Sequence, residues 1–546
     1  MRASVQALSA REIVDYICTE VINLPLSEEE EADIETRNFL PSHSARSTCA
    51  ALARSGKIFT DSALNALWRR QNSFGPFLAL FPADLFLRRK PSGLNNEHKS
   101  GDCIWEILRP LIPSDFERAA IYALRVREFA WESNAWTAVS KAFPFLTMSS
   151  QGSFLFPHLR LFELTSKYPI SDPGAIRSFL PPTLQHIQLH CPATIATISI
   201  CALLPDSCPN LKHLYISFLR GTTLPGPCIS LSLCRLRDLV YVSLYQPTME
   251  AILNLGQLPR LEILKLISLP RMLHPRPPGS ESMFRVLRRL HLSQLDIGQG
   301  TAFLTLCCDS PLSSSTFFLE LKTTPTFAAT DAFYDALTTA CDHGSVRRLE
   351  LHFTCHVSPE SPPFTMTQGS LTKLACFSAL TELHISGQLS FDIDDLDFAK
   401  LIAAWPLMES LSMAPCGVDV RPRLTLQSFQ KVAQNCPRLR ILHVAVDATQ
   451  IPPNRPVRVT SHSLVDLYID SSNISNPSAV ARFLSGLFPN LVRIWTDVDI
   501  ELRADDDEPW GAETMQRHDR WRQVEALLPE FRQARREEYA WPASCA

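Results

Sequence analysis

Residue types that ligate metals or act as nucleophiles form only a few close groups in this sequence. These groups are His352 with Cys355 and His356, Cys341 with Asp342 and His343, and Cys307 with Cys308. A structural zinc site needs four converging ligands, usually supplied as two closely spaced pairs. Because no second ligand pair stands near any of these groups, we predict that the chain holds no metal and no cofactor.

Nucleophilic catalysis has equally little support in the sequence. No Gly-x-Ser-x-Gly elbow occurs, and no nucleotide-binding glycine fingerprint is found among the 18 glycines. His291, His384 and His443 recur at one position of a repeated motif, and the repetition itself explains their spacing. We therefore predict that the chain is not an enzyme.

The composition narrows the class of partner. The chain has 546 residues, of which 45% are hydrophobic and 20% are charged, as in ordinary folded proteins. A net charge of −4 leaves no basic excess to neutralise phosphates, so we expect no nucleic-acid partner. No apolar run reaches the length of a membrane span, no signal peptide opens the sequence, and the 16 cysteines are scattered. We expect a cytoplasmic and/or nuclear protein without a membrane partner.

A strand-sized motif, Leu-x-x-Leu-x-Leu, returns about every 28 residues. We find 13 copies, at 159–165, 184–190, 211–217, 239–245, 261–267, 287–293, 316–322, 346–352, 380–386, 408–414, 439–445, 464–470 and 491–497. A fixed period of this length is typical of stacked repeats, in which each unit covers the apolar face of its neighbour. Such arrays offer a long binding surface rather than an enclosed active site.

Each repeat combines a strand with a helix and a proline-containing turn. Cys208-Pro209-Asn210-Leu211 and Cys436-Pro437-Arg438-Leu439 introduce strands, and helical apolar patterns such as 425–435 and 478–487 precede them. The pattern resembles leucine-rich repeats of the cysteine-containing class. The resemblance implies an α/β solenoid over residues 156–500, with a curved parallel sheet inside and helices outside.

The inner face of that sheet is the predicted target-binding surface. Alternation along each strand exposes the residue between the last two core positions, which places Glu320 in this column for the copy at 316. Exposed aromatic residues beside arginine and carboxylates are typical of protein-recognition hot spots. The candidate target-binding residues are Tyr215, His291, His384, His443, Asp466, Tyr468, Arg493 and Trp495.

Residues 8–70 lack the repeat and show three amphipathic helical patterns, at 11–21, 44–54 and 61–70, with Thr60 as the predicted cap of the third. The stretch from Cys49 to Phe59, followed by Leu64 and Trp68, resembles the second half of an F-box, as in fungal proteins with repeats behind the box. The resemblance implies docking on a Skp-type adaptor of a cullin-based ubiquitin ligase. The implied adaptor-facing residues are Ile13, Ile17, Leu52, Phe59, Leu64 and Trp68; these side chains could instead form only the core of the module itself.

Two segments flank the array. Residues 71–155 are expected to form a helical connector and N-terminal cap, with helices at 103–108 and 116–131. Residues 501–546 are expected to form an acidic loop and a capping helix at 513–534, bent at Pro529. The resulting prediction is a substrate-recognition adaptor of a Skp–cullin–F-box ubiquitin ligase. The alternative is a leucine-rich-repeat scaffold for protein interactions that is not linked to ubiquitination.

Overall fold

The computed structural model describes residues 11–23, 41–89, 104–132, 154–166, 176–218, 232–270, 283–308, 310–321, 325–355, 364–387, 389–413, 422–452, 461–501 and 511–540. The chain divides into two units, Met1–Leu261 and Glu262–Ala546. Parallel strands linked by helices or irregular segments occur in both units.

The first unit begins with helices and continues as a strand ladder. Its helices are α1 (Arg11–Ile22), α2 (His43–Ser55), α3 (Lys57–Arg69), α4 (Gly75–Leu78), α5 (Glu117–Ala123), α6 (Ile195–Ser207) and α7 (Met249–Gly256). Its strands are β1 (Arg70–Gln71), β2 (Phe86–Arg89), β3 (Ile104–Ile107), β4 (Glu128–Glu132), β5 (Leu161–Thr165), β6 (His186–Cys191), β7 (His213–Phe218) and β8 (Tyr241–Tyr245). The parallel ladder runs β1-β4-β5-β6-β7-β8.

Helices α1 to α3 pack into a small N-terminal module with its own core. Val14, Cys18 and Ile22 of α1 meet Cys49 of α2 and Ala63 of α3 in this core. Ser42 caps α2 by accepting a hydrogen bond from the amide of Ala45. Helix α3 begins four residues earlier than predicted, at Lys57, so Thr60 is not its cap. Instead, the Thr60 hydroxyl donates to the carbonyls of Ala53 and Gly56, at 3.0 and 3.2 Å.

The second unit continues the alternation of strands and helices. Its strands are β9 (Ile263–Ile267), β10 (Arg289–Leu295), β11 (Ser314–Leu321), β12 (Arg348–Cys355), β13 (Phe364–Thr367), β14 (Glu382–Gly387), β15 (Leu389–Asp392), β16 (Ser410–Met413), β17 (Ile441–Val444), β18 (Asp466–Tyr468) and β19 (Arg493–Trp495). Its helices are α8 (Ile297–Leu306), α9 (Phe327–Ala340), α10 (Gln368–Lys373), α11 (Asp395–Ala404), α12 (Leu426–Asn435), α13 (Pro477–Leu487), α14 (Asp497–Glu501) and α15 (Ala512–Ala540). The ladder β9-β10-β11-β12-β14-β16-β17-β18-β19 is parallel throughout, and β13 pairs separately with β15.

The leucine positions of the motif form the core of each ladder. Leu211, Leu214 and Ile216 are almost completely buried, and the residues between them are half-buried or exposed. All 13 predicted copies contain a strand of a parallel ladder. One strand per repeat, with helices or irregular segments between successive strands, is the architecture of a leucine-rich-repeat solenoid, which confirms the predicted α/β class.

Side chains at the turns tie each repeat to its neighbour. The Cys208 thiol donates to the carbonyl of Pro181, and the Cys436 thiol donates to that of Trp405 at 3.3 Å. The side-chain amide of Asn210 donates to the carbonyl of Pro182 at 3.2 Å. These contacts satisfy carbonyls in the turns, which explains why cysteine and asparagine flank the proline.

The segment before the first predicted repeat differs from the expected helical connector. Residues 104–107 form β3, which pairs antiparallel with β2, and α5 ends at Ala123. Strand β4 then joins the ladder beside β5, so the ladder extends further towards the N-terminus than the 13 copies. Phe129 and Trp131 of β4 are buried, because they occupy the core positions that leucines hold in later repeats.

The pairing of β11 with its neighbours differs from the register predicted for the copy at 316–322. Thr316 pairs with His291 on one side and Glu350 on the other. Glu320 pairs with Thr354, four residues beyond the predicted column. The prediction was wrong because this repeat carries Ser315 where other copies have an apolar residue.

Helix α15 packs against α13 and β19 at the C-terminal end of the second unit. Trp521, Val524 and Leu528 are buried, and the Trp521 indole donates to the carbonyl of Ser472 at 2.8 Å. The helix is longer than predicted and continues through Pro529. The acidic stretch predicted between β19 and this helix lies almost entirely outside the described residues.

Candidate protein-binding site

The strand register brings the predicted face residues of the second unit into one line. This line, the central column, consists of Lys265, His291, Thr316, Glu350, His384, Ser412, His443, Tyr468 and Trp495. Adjacent strands lie about 4.8 Å apart, so side chains in the column contact their neighbours across the ladder. Seven of the eight predicted target-binding residues lie on this face, and Tyr215 lies on β7 in the first unit.

Aromatic rings recur along this face of the second unit. The aromatic strip comprises His291, Phe318, His352 and His384 at one end and His443, Tyr468 and Trp495 at the other. Centroid distances between successive rings are 5.3, 4.2 and 5.0 Å in the first group and 5.2 and 5.8 Å in the second. All seven side chains are half-buried, so the strip is rigid yet open on one side. Rigid aromatic area of this kind is favourable for protein recognition, because few rotamers are lost on binding.

Burial keeps the histidines of the first group uncharged at neutral pH. It lowers the pKa of His291 to about 4, assisted by Lys265, and that of His384 to about 4, assisted by His352. Burial also lowers the pKa of His352, although Glu350 opposes the shift. At pH 7 this end of the strip therefore presents neutral imidazoles that can donate and accept hydrogen bonds.

Glu350 supplies the negative charge between these histidines. Burial is the largest single influence and raises its pKa, but the hydrogen bond from Arg348 at 2.6 Å, the positive charge of Arg348 and the hydrogen bond from Thr316 together bring the pKa below its ordinary value. The Thr316 hydroxyl also donates to Glu350, at 3.1 Å. Nε2 of His352 lies 3.8 Å from the Glu350 carboxylate, and Nδ1 lies 2.8 Å from the Ser386 hydroxyl. This network fixes the side chains that flank the strip.

Ser412, His443 and Asp470 form a hydrogen-bonded chain that resembles a catalytic triad. The Ser412 hydroxyl lies 3.2 Å from Nδ1 of His443, and Nε2 of His443 bonds to Asp470. A hydrolase also needs preorganised amides directed at a developing oxyanion. Ser412 sits mid-strand, paired with His384 on one side and His443 on the other, so the amides around it belong to the ladder. The chain of hydrogen bonds orients His443 in the strip and does not form a nucleophile site.

The last two strands place charge beside the largest rings. Tyr468 and Trp495 stack with an interplanar angle of 13°, and the guanidinium of Arg493 lies 5.6 Å from the Trp495 ring centre. Asp466 accepts from Arg493 at 2.6 Å and from the Trp495 indole at 3.3 Å. The structure thus brings together the four residues that the sequence singled out at this end.

The first unit carries a smaller ring stack that sequence reasoning missed. His186 and His213 stack at 4.1 Å, and His213 stacks on Tyr241 at 5.8 Å. Tyr215 lies two residues after His213 on β7, between Gln188 and Ser243 of the neighbouring strands. Phe318 and His352 were likewise missed in the second unit. The missed rings lie two residues before the predicted face position in the first unit and two residues after it in the second, where rings also recur on adjacent strands.

The residues predicted to face an adaptor occupy three kinds of position in the N-terminal module. Ile13 is 42% exposed, and Ile17 and Leu64 are half-buried. Leu52 and Phe59 pack against the core of the module. Trp68 is buried, and its ring lies 4.8 Å from that of Tyr122. Direct contact of Trp68 with a partner does not agree with this placement, because the ring joins α3 to the segment that follows.

Two further apolar side chains of the module are open to solvent. Tyr16 lies one turn after Ile13 on α1 and is 65% exposed, and Ile58 near the start of α3 is 56% exposed. The sequence patterns assigned residues to the module as a whole and did not distinguish these outward positions. The module therefore has a covered core and a separate set of uncovered apolar residues.

The histidine and cysteine groups considered as metal ligands do not form a metal site among the described residues. Within those ranges no cluster of three or more His, Cys, Asp or Glu residues could hold a metal ion. His356, one of the candidate ligands, lies outside them. Cys307 and Cys341 are buried, and burial raises the pKa of Cys341 to about 12. None of the helices that the structure describes has both the length and the apolar character to cross a bilayer.

Comparisons with known proteins assign neither a family nor a function to this chain. No protein-family model matches the sequence, and no curated protein matches it either. A chain in the structure of the Toll–Spatzle complex from Drosophila matches with 13% identity and a TM-score of 0.37, over 71% of this chain and 53% of that one. A chain in the mouse RP105/MD-1 complex matches with 12% identity and a TM-score of 0.36, over 71% and 67%.

This chain thus spans about half the length of the Toll–Spatzle chain that it matches. Such low identities and TM-scores carry no argument about function. The assignment to leucine-rich-repeat architecture rests on the parallel ladders and the repeated motif.

Proposed function

We propose that this chain is a non-enzymatic substrate-recognition adaptor of a Skp–cullin–F-box ubiquitin ligase. In this proposal the N-terminal module binds a Skp-type adaptor, and the aromatic strip with the Tyr468–Trp495 end binds a target protein. The resemblance to fungal F-box proteins motivates the proposal. Its mechanism is proximity, since holding both partners raises the local concentration of target lysines near the transfer enzyme.

One observation carries the adaptor-binding half of the proposal. The module completes its own core and still leaves Ile13, Tyr16 and Ile58 exposed. Exposed apolar residues grouped on one small module are typical of a protein contact surface. Ile13 and Tyr16, one helical turn apart, share a face of α1.

A pulldown with a purified Skp-type adaptor tests this half. Wild-type chain should be captured, and the double variant Ile13→Asp/Tyr16→Asp should not. Glu20→Lys, an exposed change on the same helix, is the matched control and should be captured like wild type. Because all three residues are exposed, circular dichroism spectra should remain unchanged. Failure of the wild-type chain to bind would reject the ligase proposal.

The second candidate is a leucine-rich-repeat scaffold without a ligase, and the aromatic strip favours it equally. The aromatic strip is suited to protein binding whether or not the N-terminal module binds a Skp-type adaptor. If the adaptor fails to bind while Tyr468→Ala/Trp495→Ala changes the set of proteins co-purified from native cells, the scaffold is the better description.

We also propose a cytoplasmic and/or nuclear location. Eleven cysteines in the described residues are free thiols, which supports a reducing compartment. Fractionation of cells that express the tagged chain tests the location.

A further inference from the structure

Cations line the edge of the first unit where its strands begin. The residues immediately before β4, β5 and β7 are Arg127, Arg160 and Lys212, and Arg69 precedes β1. Their backbones are adjacent in the ladder: the amide of Arg127 donates to the carbonyl of Arg69, and that of Arg160 donates to the carbonyl of Arg127. Gln185 links Arg160 to Lys212 in the same way. We call Arg69, Arg127, Arg160 and Lys212 the basic row.

The described acidic side chains neutralise little of this charge. Glu128 pairs with both Arg69 and Arg70, at 3.2 and 2.8 Å, so two cations share one carboxylate. Arg127 donates to the carbonyls of Leu124 and Val126 and has no carboxylate partner among the described residues.

Arg160 and Lys212 are exposed, and neither side chain has a hydrogen bond or ion pair within the part of the chain that the structure describes. Like charges crowd around Arg127. Burial lowers its pKa, and the neighbouring Arg160 and Arg69 lower it further. A chain with a net charge of −4 therefore concentrates positive charge along one edge. Because self-repulsion of this kind costs stability, a bound anionic partner would relieve it.

The surroundings of the row favour a polypeptide over a nucleic acid. Single-stranded nucleic acids bind where aromatic faces beside a basic groove are free for base stacking. The rings next to this row, His186, His213 and Tyr241, stack on one another, so each has at least one face occupied and His213 has both. The row also supplies fewer cations than the roughly 6–10 phosphate contacts typical of strong duplex binding. Carboxylates, in contrast, match the bidentate geometry of guanidinium groups.

We propose that the basic row of the first unit is a docking surface for an acidic polypeptide segment rich in Asp and Glu. The feature that the row recognises is a run of carboxylates on the partner polypeptide. The proposal does not depend on the ligase function, because the row lies outside both the N-terminal module's exposed face and the aromatic strip.

Fluorescence anisotropy with the full-length chain and a short labelled peptide of alternating Glu and Ser tests the proposal. Binding should weaken as NaCl rises from about 50 to about 200 mM. Arg160→Glu/Lys212→Glu should weaken it by about tenfold, which corresponds to about 1.4 kcal/mol. Arg160→Lys/Lys212→Arg, which retains both charges, should bind like wild type.

The matched control reverses two exposed charges in the second unit, Lys431→Glu/Arg438→Glu, and should leave peptide binding unchanged. Equal weakening in this control would show a response to overall charge and would overturn the assignment to the row. Absence of wild-type binding would overturn it as well. Tighter, row-dependent binding of single-stranded oligothymidylate would replace the acidic polypeptide with a nucleic acid as occupant.

Discussion

Gly387 offers a sharp test of the strand ladder, because the same substitution at another glycine should have the opposite effect. Gly387 ends β14 with φ of +120°, a conformation that L side chains rarely adopt. A Cβ there would lie 2.6 Å from the carbonyl carbon and 2.8 Å from the nitrogen of Phe353. Phe353 is the β12 partner of Gly387, so relief of the clash requires part of the ladder to separate.

The expected cost of Gly387→Ala has two parts. Backbone strain contributes about 1–3 kcal/mol, and loss of one ladder hydrogen bond adds about 0.5–1.5 kcal/mol. We therefore expect the free energy of unfolding to fall by about 2–4 kcal/mol. Gly369→Ala is the control: Gly369 lies in α10, its Cβ would lie 3.9 Å from the Thr367 hydroxyl, and stability should rise by about 0.5 kcal/mol.

Urea titration followed by tryptophan fluorescence measures the unfolding midpoints, and hydrogen exchange of peptides from β12 and β14 localises the change. Gly387→Ala should lower the midpoint and accelerate exchange in both strands. If its midpoint equals that of wild type, the pairing of Phe353 with Gly387 is wrong.

Two other predictions concern titratable groups. The folded-state pKa values of His291 and His384, lowered to about 4, lie below the unfolded value of about 6.5. The unfolded chain therefore binds more protons between these values, and the free energy of unfolding should fall as pH drops from about 6.5 to about 4. Urea midpoints across this range should show a shallower slope for His384→Phe, and an unchanged slope would contradict its burial. Cys234 is exposed, whereas burial raises the pKa of Cys208 to about 12. In native protein a thiol reagent read out by peptide mass spectrometry should label Cys234 and spare Cys208 until urea is added; early labelling of Cys208 would contradict its buried position.

The sequence predicted the core of the repeats well, because the leucine spacing follows directly from burial of every second residue in a strand. It failed where other residues take the leucine positions. In β4 the pattern Val126-x-x-Phe129-x-Trp131 has the spacing of the motif with different apolar residues, and it was taken for a helix. In β11 a serine, Ser315, occupies a core position. The motif was therefore aligned on Leu319 and Leu321, which shifted the predicted register.

The face residues were harder to interpret, because their chemistry depends on which strands become neighbours. Ile13 and Trp68 both fit an amphipathic helix, yet one is exposed and the other is covered by Tyr122, about 50 residues further along the chain. Helical periodicity identifies which face of a helix is apolar and therefore tends to be buried. It does not identify which side chains a later segment covers.

The histidines show why stacking of repeats changes chemistry as well as shape. A single exposed histidine titrates near pH 6.5 and would give the face a variable charge. In the strand ladder the fixed strand spacing holds the centre of the His352 ring 4.2 Å from that of Phe318 and 5.0 Å from that of His384. Each ring therefore shields its neighbour from water. Mutual burial lowers the pKa values and makes the group a neutral, aromatic surface at pH 7. Because the arrangement requires ring-bearing residues on adjacent strands, the neutral aromatic surface belongs to the stack of repeats and not to any one repeat.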